Sequence, residues 1–294
     1  MTAPLTIFRD KLTIGTWTFN DPSNMPAGVT QLGVNILDGW DDTMPVQALV
    51  TPRGSRDGDV PSDHFPARSR VVTLSGWMYC TSRTAARVAW TNLVANAFPL
   101  DTDLTLTRYE PDVVKQLTVR RAGSIELPPA TNLTGPHFRF LVPLMAFDPL
   151  KYASTVDINA TTGVAGQSSG GIVVPIKVPI VFTAASGQLN QINAFNAGSY
   201  ATRPVATFAG PLPTGWHWDN TTTNSSLALD VSLGAGDSLI LDHAAETATL
   251  NNTLISPAII GSWWPIITGP NVLKLFGDFD PGATVTVTGR SAWE

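Results

Sequence analysis

The chain has 294 residues, a formal charge of −5, one cysteine, 43% hydrophobic residues and only 14% charged ones. That balance excludes the basic field that holds nucleic acid without regard to sequence. The lone Cys80 excludes an internal disulfide framework. No run approaches the roughly 20 apolar residues of a membrane helix; the best stretch, Ile172 to Phe182, is broken by Pro175, Lys177 and Pro179.

The start, MTAPLTIFRDKLTIG, lacks the basic and apolar regions of a signal peptide. Short strands are expected at Leu5–Phe8, Leu12–Ile14 and Gly33–Leu37. A segment rich in Asp, Pro, Gly and Arg then runs from Asp38 to Arg70, with a possible strand at Val46–Thr51. Connections of that length do something in a compact domain, and here the expectation is an extended arm or hairpin. Val71–Tyr79 reads as a strand. Thr81 or Ser82 can cap a helix over 82–98, where Ala85, Val88 or Ala89, Trp90, Leu93, Val94 and Phe98 recur at helical spacing and Pro99 ends it. Leu104–Tyr109, Val113–Ala122 and Phe138–Met145 complete an antiparallel set. In the last, Phe138, Phe140, Val142 and Leu144 alternate at strand period before the turn at Asp148-Pro149.

The chain changes character there. Residues 1–152 hold 14 Lys+Arg and 14 Asp+Glu; the remainder hold 4 and 9, so the net charge of −5 falls beyond Tyr152. Ala160 to Gly171 is small, polar and glycine-rich, which is linker composition. Two domains follow, 1–155 and 172–294, with a linker over 156–171. Beyond the linker, short strands recur with turn signals between them: Val173–Phe182, Leu189–Ala194, Ala201–Phe208, Gly215–Trp218, Ser226–Val231, Ser238–Asp242, Thr247–Leu250, Trp264–Ile267, Asn271–Leu275 and Thr284–Thr288. That rhythm is a β-sandwich or jelly roll. The fold class is mainly β: a β-sandwich-like first domain with one α-helix and an extended arm, followed by a second β-sandwich.

No catalytic constellation stands out. Gly166-Gln-Ser168-Ser-Gly170 fits the nucleophile-elbow pattern, but it sits in linker sequence without the strand–turn–helix that chemistry needs. Cys80 precedes the helix without a recognisable histidine partner and reads as a small buried apolar residue. Asp57, Asp59 and Asp63 lack the rest of a calcium loop, and His137, His217 and His243 lack metal-ligand spacing. Asp242 and Glu246 flank a hairpin turn, where acids are ordinary, although paired carboxylates also serve glycosidases. No cofactor and no metal is expected. Trp216 and Trp218 share one face of a strand; they are either core filling or an aromatic platform for a sugar.

The ordered set SRTAARVAWTNLVANAF, LTLTRYEPDVVKQLTVRRAGSIE, FRFLVPLMAFDPLKY, FNAGSYATRPVATFAGP, SLALDVSLGAGDSLILDHAAETATLNN and WWPIITGPNVLKLFG resembles the distal tail protein (Dit-like) family of long non-contractile-tailed, siphovirus-type phages. The resemblance implies a ring-forming first domain, a homohexamer coaxial with the tail tube, and a galectin-like or carbohydrate-module-like sandwich after it. It implies a structural virion component of the tail tip, not an enzyme, assembled in the host cytoplasm. Its partners would be the tail tube protein and the tail-associated hub or baseplate protein, with DNA as cargo in the channel. The family's belt would correspond to 38–70, where Arg53, Arg56, Arg68 and Arg70 become candidate contacts with a neighbouring subunit, planar Arg being suited to such pairs. The alternative is a carbohydrate-binding module for host-surface adhesion, carried by Trp216 and Trp218. The chain lacks the large second-domain insertion of some members.

Overall fold

The computed structural model describes residues 10–47, 50–52, 59–61, 66–126, 135–163, 190–277 and 282–294. It divides into two compact units, Met1–Ser154 with Glu294, and Thr155–Trp293. Both are mainly β, and among the described residues α1 is the one α-helix.

Unit 1 is built from β1 (Lys11–Ile14), β2 (Trp17–Phe19), β3 (Val29–Asp38), the short β4 (Val50–Pro52) and β5 (Asp59–Pro61), β6 (Arg70–Cys80), β7 (Leu104–Tyr109), β8 (Val114–Arg121), β9 (His137–Ala146) and β10 (Lys151–Ala153). The main sheet runs β2-β1-β7-β8-β9-β6-β3, and β10 pairs with β8 as well. The two ends of this path meet. Asn20, just past β2, receives a hydrogen bond from Val34 N at 2.9 Å, and its Nδ2 donates to Val34 O at 3.1 Å and Asp10 O at 3.0 Å. One side chain thus satisfies backbone groups that an open sheet edge would expose, and the sheet nearly closes on itself. The interior holds Leu12, Ile14, Phe19, Val34, Leu74, Met78, Leu106 and Leu117, together with the alternating Phe138, Phe140, Val142 and Leu144 expected to be buried.

Helix α1 (Arg83–Asn92) starts where Ser82 Oγ accepts from Ala85 N at 3.1 Å, so Ser82 is the cap rather than Thr81. Ala89, not Val88, faces the core. The last turn, Leu93–Ala97, widens to a π-helix, with Phe98 N donating to Leu93 O. That extra residue lets Leu93, Ala97 and Phe98 all be buried.

Unit 2 is a sandwich. Its strands are β11 (Ile158–Gly163), β12 (Gln191–Asn196), β13 (Val205–Ala209), β14 (His217–Asn220), β15 (Ser225–Leu229), β16 (Ser238–Asp242), β17 (Thr247–Leu250), β18 (Thr253–Ile255), β19 (Ile259–Gly261), β20 (Gly269–Phe276), β21 (Thr284–Gly289) and β22 (Ala292–Trp293). One sheet runs β11-β21-β13-β16-β17-β18 and the other β12-β20-β14-β15-β19. Between them lie Phe208, Trp216, Trp218, Leu227, Leu239, Leu241, Trp264, Leu273, Val285 and Val287. The expected linker over 156–171 differs: residues 158–163 form β11, paired along its length with β21, and 164–171 lie outside the described residues, as do the expected strands Leu5–Phe8 and Val173–Phe182. Trp264–Ile267 is not a strand. Buried Asn196, Asn220 and Asn271 tie that segment down through the carbonyls of Ile266, Pro265 and Ile267.

His243 is fully buried beside Trp264, ring centroids 4.4 Å apart, with Nδ1 2.9 Å from Trp264 O. Burial pushes its pKa down from 6.5 to about 4, assisted by the nearby Arg203 charge. The unfolded chain therefore takes up this proton first as pH falls. The stability at stake is full above about pH 6.5 and drains away toward pH 4. Urea midpoints of the full chain should drop across that window, and the drop should be shallower in His243→Gln.

Candidate assembly site

The arm expected over 38–70 leaves the sheet at the end of β3 and re-enters at the start of β6, where Asp38 and Thr73 stand opposite each other. Its stem is antiparallel: Gln47 N donates to Pro66 O at 2.9 Å and Arg68 N to Pro45 O at 2.7 Å. Farther out, β4 and β5 pair as Val50↔Pro61, Thr51↔Val60 and Pro52↔Asp59. The described parts of the segment pair antiparallel, as a hairpin does.

Its neck is held by Arg70, which is 2% exposed. Arg70 Nη1 donates to the carbonyls of Gly39 (3.0 Å), Trp40 (3.0 Å) and Asp42 (2.8 Å), and Nε to Pro149 O (3.0 Å). Lys151 Nζ donates to the same Trp40 carbonyl at 2.8 Å. Burial, then the charges of Arg70 and Lys115, lower the Lys151 pKa to about 8. Trp40 is wholly buried and its Nε1 donates to Glu110 Oε1 at 3.2 Å. Lys115 closes on Glu110 at 2.6 Å, and Arg108 bridges Asp10 (2.8 Å) and Asp41 (2.9 Å). Gly39 is required here: its φ is +79°, and a Cβ would strike the Val71 carbonyl.

Of the four arginines proposed as contacts with a neighbour, Arg53 and Arg56 lie outside the described residues. Arg68 is exposed on the stem, and its Nε donates to Gln47 Oε1 across the arm at 3.2 Å. Arg70 is corrected: a buried guanidinium engaged by four carbonyls of its own unit cannot reach a second chain. The sugar platform is corrected too. Trp216 and Trp218 are 1% and 0% exposed and pack on Phe208, at centroid distances of 5.0 and 5.6 Å. They share a face as expected, but it is the inner one.

The remaining chemical candidates resolve as structure. Asp242 Oδ1 accepts from Ala244 N and Ala245 N, and Glu246 pairs with Arg203 at 2.9 Å, so both acids shape the β16–β17 turn. Cys80 is buried, which pushes its thiol pKa up and away from the reactive thiolate. Gly166–Gly170, Asp57 and Asp63 lie outside the described residues. Among those described, no cluster of His, Cys, Asp and Glu is arranged to hold a metal, and no helix is long and apolar enough to cross a membrane.

Two β-rich units, with one capped helix on a nearly closed sheet and a clamped arm, make up the fold. The chain superposes on the crystal structure of SPP1 Dit (gp 19.1), described as a paradigm of the hub adsorption apparatus in Gram-positive infecting phages, with a TM-score of 0.60 and 14% identity, over 96% of this chain and 98% of that one. It also matches chains of the phage P2 baseplate in its activated conformation with Ca and with Sr, each at a TM-score of 0.45 and 9% identity over 95% of this chain; at that distance they add nothing to the comparison. No protein-family model and no curated protein sequence matches.

Replacing Arg70 by Met leaves buried carbonyls without a donor, which costs roughly 3–5 kcal/mol on removal of one buried partner. The urea midpoint should fall accordingly. Limited proteolysis between residues 43 and 66 should accelerate, and Arg70→Lys, with a point charge in place of a planar fork, should recover only part of the loss.

Proposed function

We propose that the chain is a distal tail protein of a long non-contractile phage tail. Six copies of unit 1 would form a ring at the tail tip that joins the tail tube to the tail-associated or baseplate proteins and leaves a channel for DNA. The observation that carries this reading is the likeness to SPP1 Dit, which runs through both units and nearly the whole of both chains. The ordered sequence features of the distal tail family support it independently. So does the composition, since a surface with 14% charged residues suits a protein much of whose surface is covered by neighbours. In a closed ring each copy buries two different patches, and the hairpin arm is built to reach the next copy. A ring domain of balanced charge, with 14 Lys+Arg against 14 Asp+Glu over residues 1–152, suits a channel through which DNA slides without sticking. The role is structural and places the protein in the virion.

Light scattering of the purified protein, with negative-stain images of the same peak, tests this. The expected particle has six times the 31.3 kDa chain mass and a central hole. A chain that stays monomeric both alone and when mixed with its tail tube protein contradicts the reading.

A further inference from the structure

We propose that unit 1 carries a binding site for a neutral sugar ring, in the cleft between the β1–β2 turn, the loop before β3 and the end of α1. The cleft encloses about 350 Å³, toward the small end of the sizes that hold a ligand. The site does not depend on the ring reading above.

Three segments supply its walls. Ile14 stands opposite Trp17, so β1 and β2 are joined by the two-residue turn Gly15-Thr16. That turn lies against the end of the helical segment: a Cβ on Gly15 would sit 3.6 Å from the Asn96 carbonyl oxygen. The second wall is Asn24 to Pro26, pinned at both ends. Asn24 Nδ2 donates to Thr18 Oγ1 at 3.0 Å, and Pro26 O accepts from Val29 N at 3.0 Å. The third wall is the widened turn Leu93–Ala97. It sends Leu93, Ala97 and Phe98 into the core and leaves Asn92 and Asn96, four apart, on the open side, where both line the cleft. A π-helical turn is rare and recurs at functional sites.

The lining selects the ligand. Not one residue of it is charged. A phosphate, carboxylate or ammonium would be desolvated there without a counter-charge, which is costly. The rim holds the Thr16 hydroxyl and the carboxamides of Asn92 and Asn96, all exposed and without a hydrogen-bond partner among the described residues. Each of these groups both donates and accepts, so the matching partner is one whose polar groups do the same, as sugar hydroxyls do. Deeper in, Trp17 is 7% exposed and lines the cleft with Met25 and Pro26. Their apolar surface suits the C–H face of a sugar ring. A wholly apolar ligand would strip water from the carboxamides and return no hydrogen bond.

A peptide backbone also donates and accepts, but its usual mode is to lie as a strand along a sheet edge, with side chains in successive pockets. Here the free polar groups come from two separate walls, the β1–β2 turn and the end of the helical segment, and they face one compact cleft. That arrangement suits a ring better than a strand. The exposed rim leaves the ring's outer substituents, or the rest of a glycan chain, in water.

Saturation-transfer NMR on the full chain tests this, with methyl glucoside, methyl galactoside and N-acetylglucosamine as neutral probes. Glucuronate and N-acetylglycine N-methylamide serve as the charged and the peptide comparison. The variants are Thr16→Val, Asn92→Leu and Asn96→Leu at the rim, with Val88→Asp on α1 as control; all four positions are exposed. Far-UV circular dichroism confirms folding, and Thr16→Val, which keeps the shape and removes only the hydroxyl, reads out even where a leucine disturbs the turn. At least one neutral sugar should bind wild type and control alike. Each rim variant should weaken it about tenfold, the effect of leaving one hydrogen-bond partner unmatched. Failure of every neutral sugar to bind overturns the inference. Binding that the rim variants leave unchanged also overturns it, as does tighter binding of glucuronate or of the blocked peptide.

Discussion

The structure of unit 1 depends on one buried guanidinium. Arg70 is the first residue of β6, and its donors gather the carbonyls of Gly39, Trp40 and Asp42 from the chain leaving β3, with Pro149 from the chain leaving β9. Burying a charge costs several kcal/mol unless geometry and partners compensate, and four carbonyls on Nε and Nη1 offset part of that cost, while Nη2 is buried without a partner among the described residues. The result is a fixed root for a segment of more than thirty residues that would otherwise swing free. Trp40, locked against Glu110, and Lys151, on the same carbonyl, complete the clamp.

Strands β6 and β9 fill the core with one face, and the other mixes Val71, Trp77, Tyr79, Leu141 and Met145 with Thr73, Ser75, His137 and Arg139. The second unit's sandwich seals Trp216, Trp218 and Trp264 between its two sheets, while Phe195, Phe276 and Ile260 stand exposed on it.

Much of this was legible in the chain. The single helix, with its cap at Thr81 or Ser82, and most strands from Leu12 onward follow from periodicity and turn residues, because those signals are local. The arm was legible as a long polar interruption between two apolar runs. What could not be read was whatever depends on distant partners. Arg70 looked like one of four similar arginines in a loop; only the fold brings Pro149, 79 residues away, against it. Trp216 and Trp218 were rightly assigned to one face, but alternation gives the period of a strand and not which face is inside. Alternation in β6 and β9 marked one buried face and was silent on the second. Trp264–Ile267 has strand composition, yet beyond a single bridge between Ile266 and Thr202 its carbonyls are met by buried asparagines and His243, a pattern no local rule anticipates. Asn20, which joins the two edges of the sheet, gave no signal at all.

The central claim is the proposed assembly of this chain through unit 1 and its clamped arm. Hydrogen–deuterium exchange across a dilution series, read peptide by peptide on the intact chain, addresses it most directly. The account predicts that uptake slows on assembly in peptides covering residues 38–70, while the sheets of unit 2 are unchanged. Slowing confined to unit 2, with residues 38–70 indifferent to concentration, would contradict it.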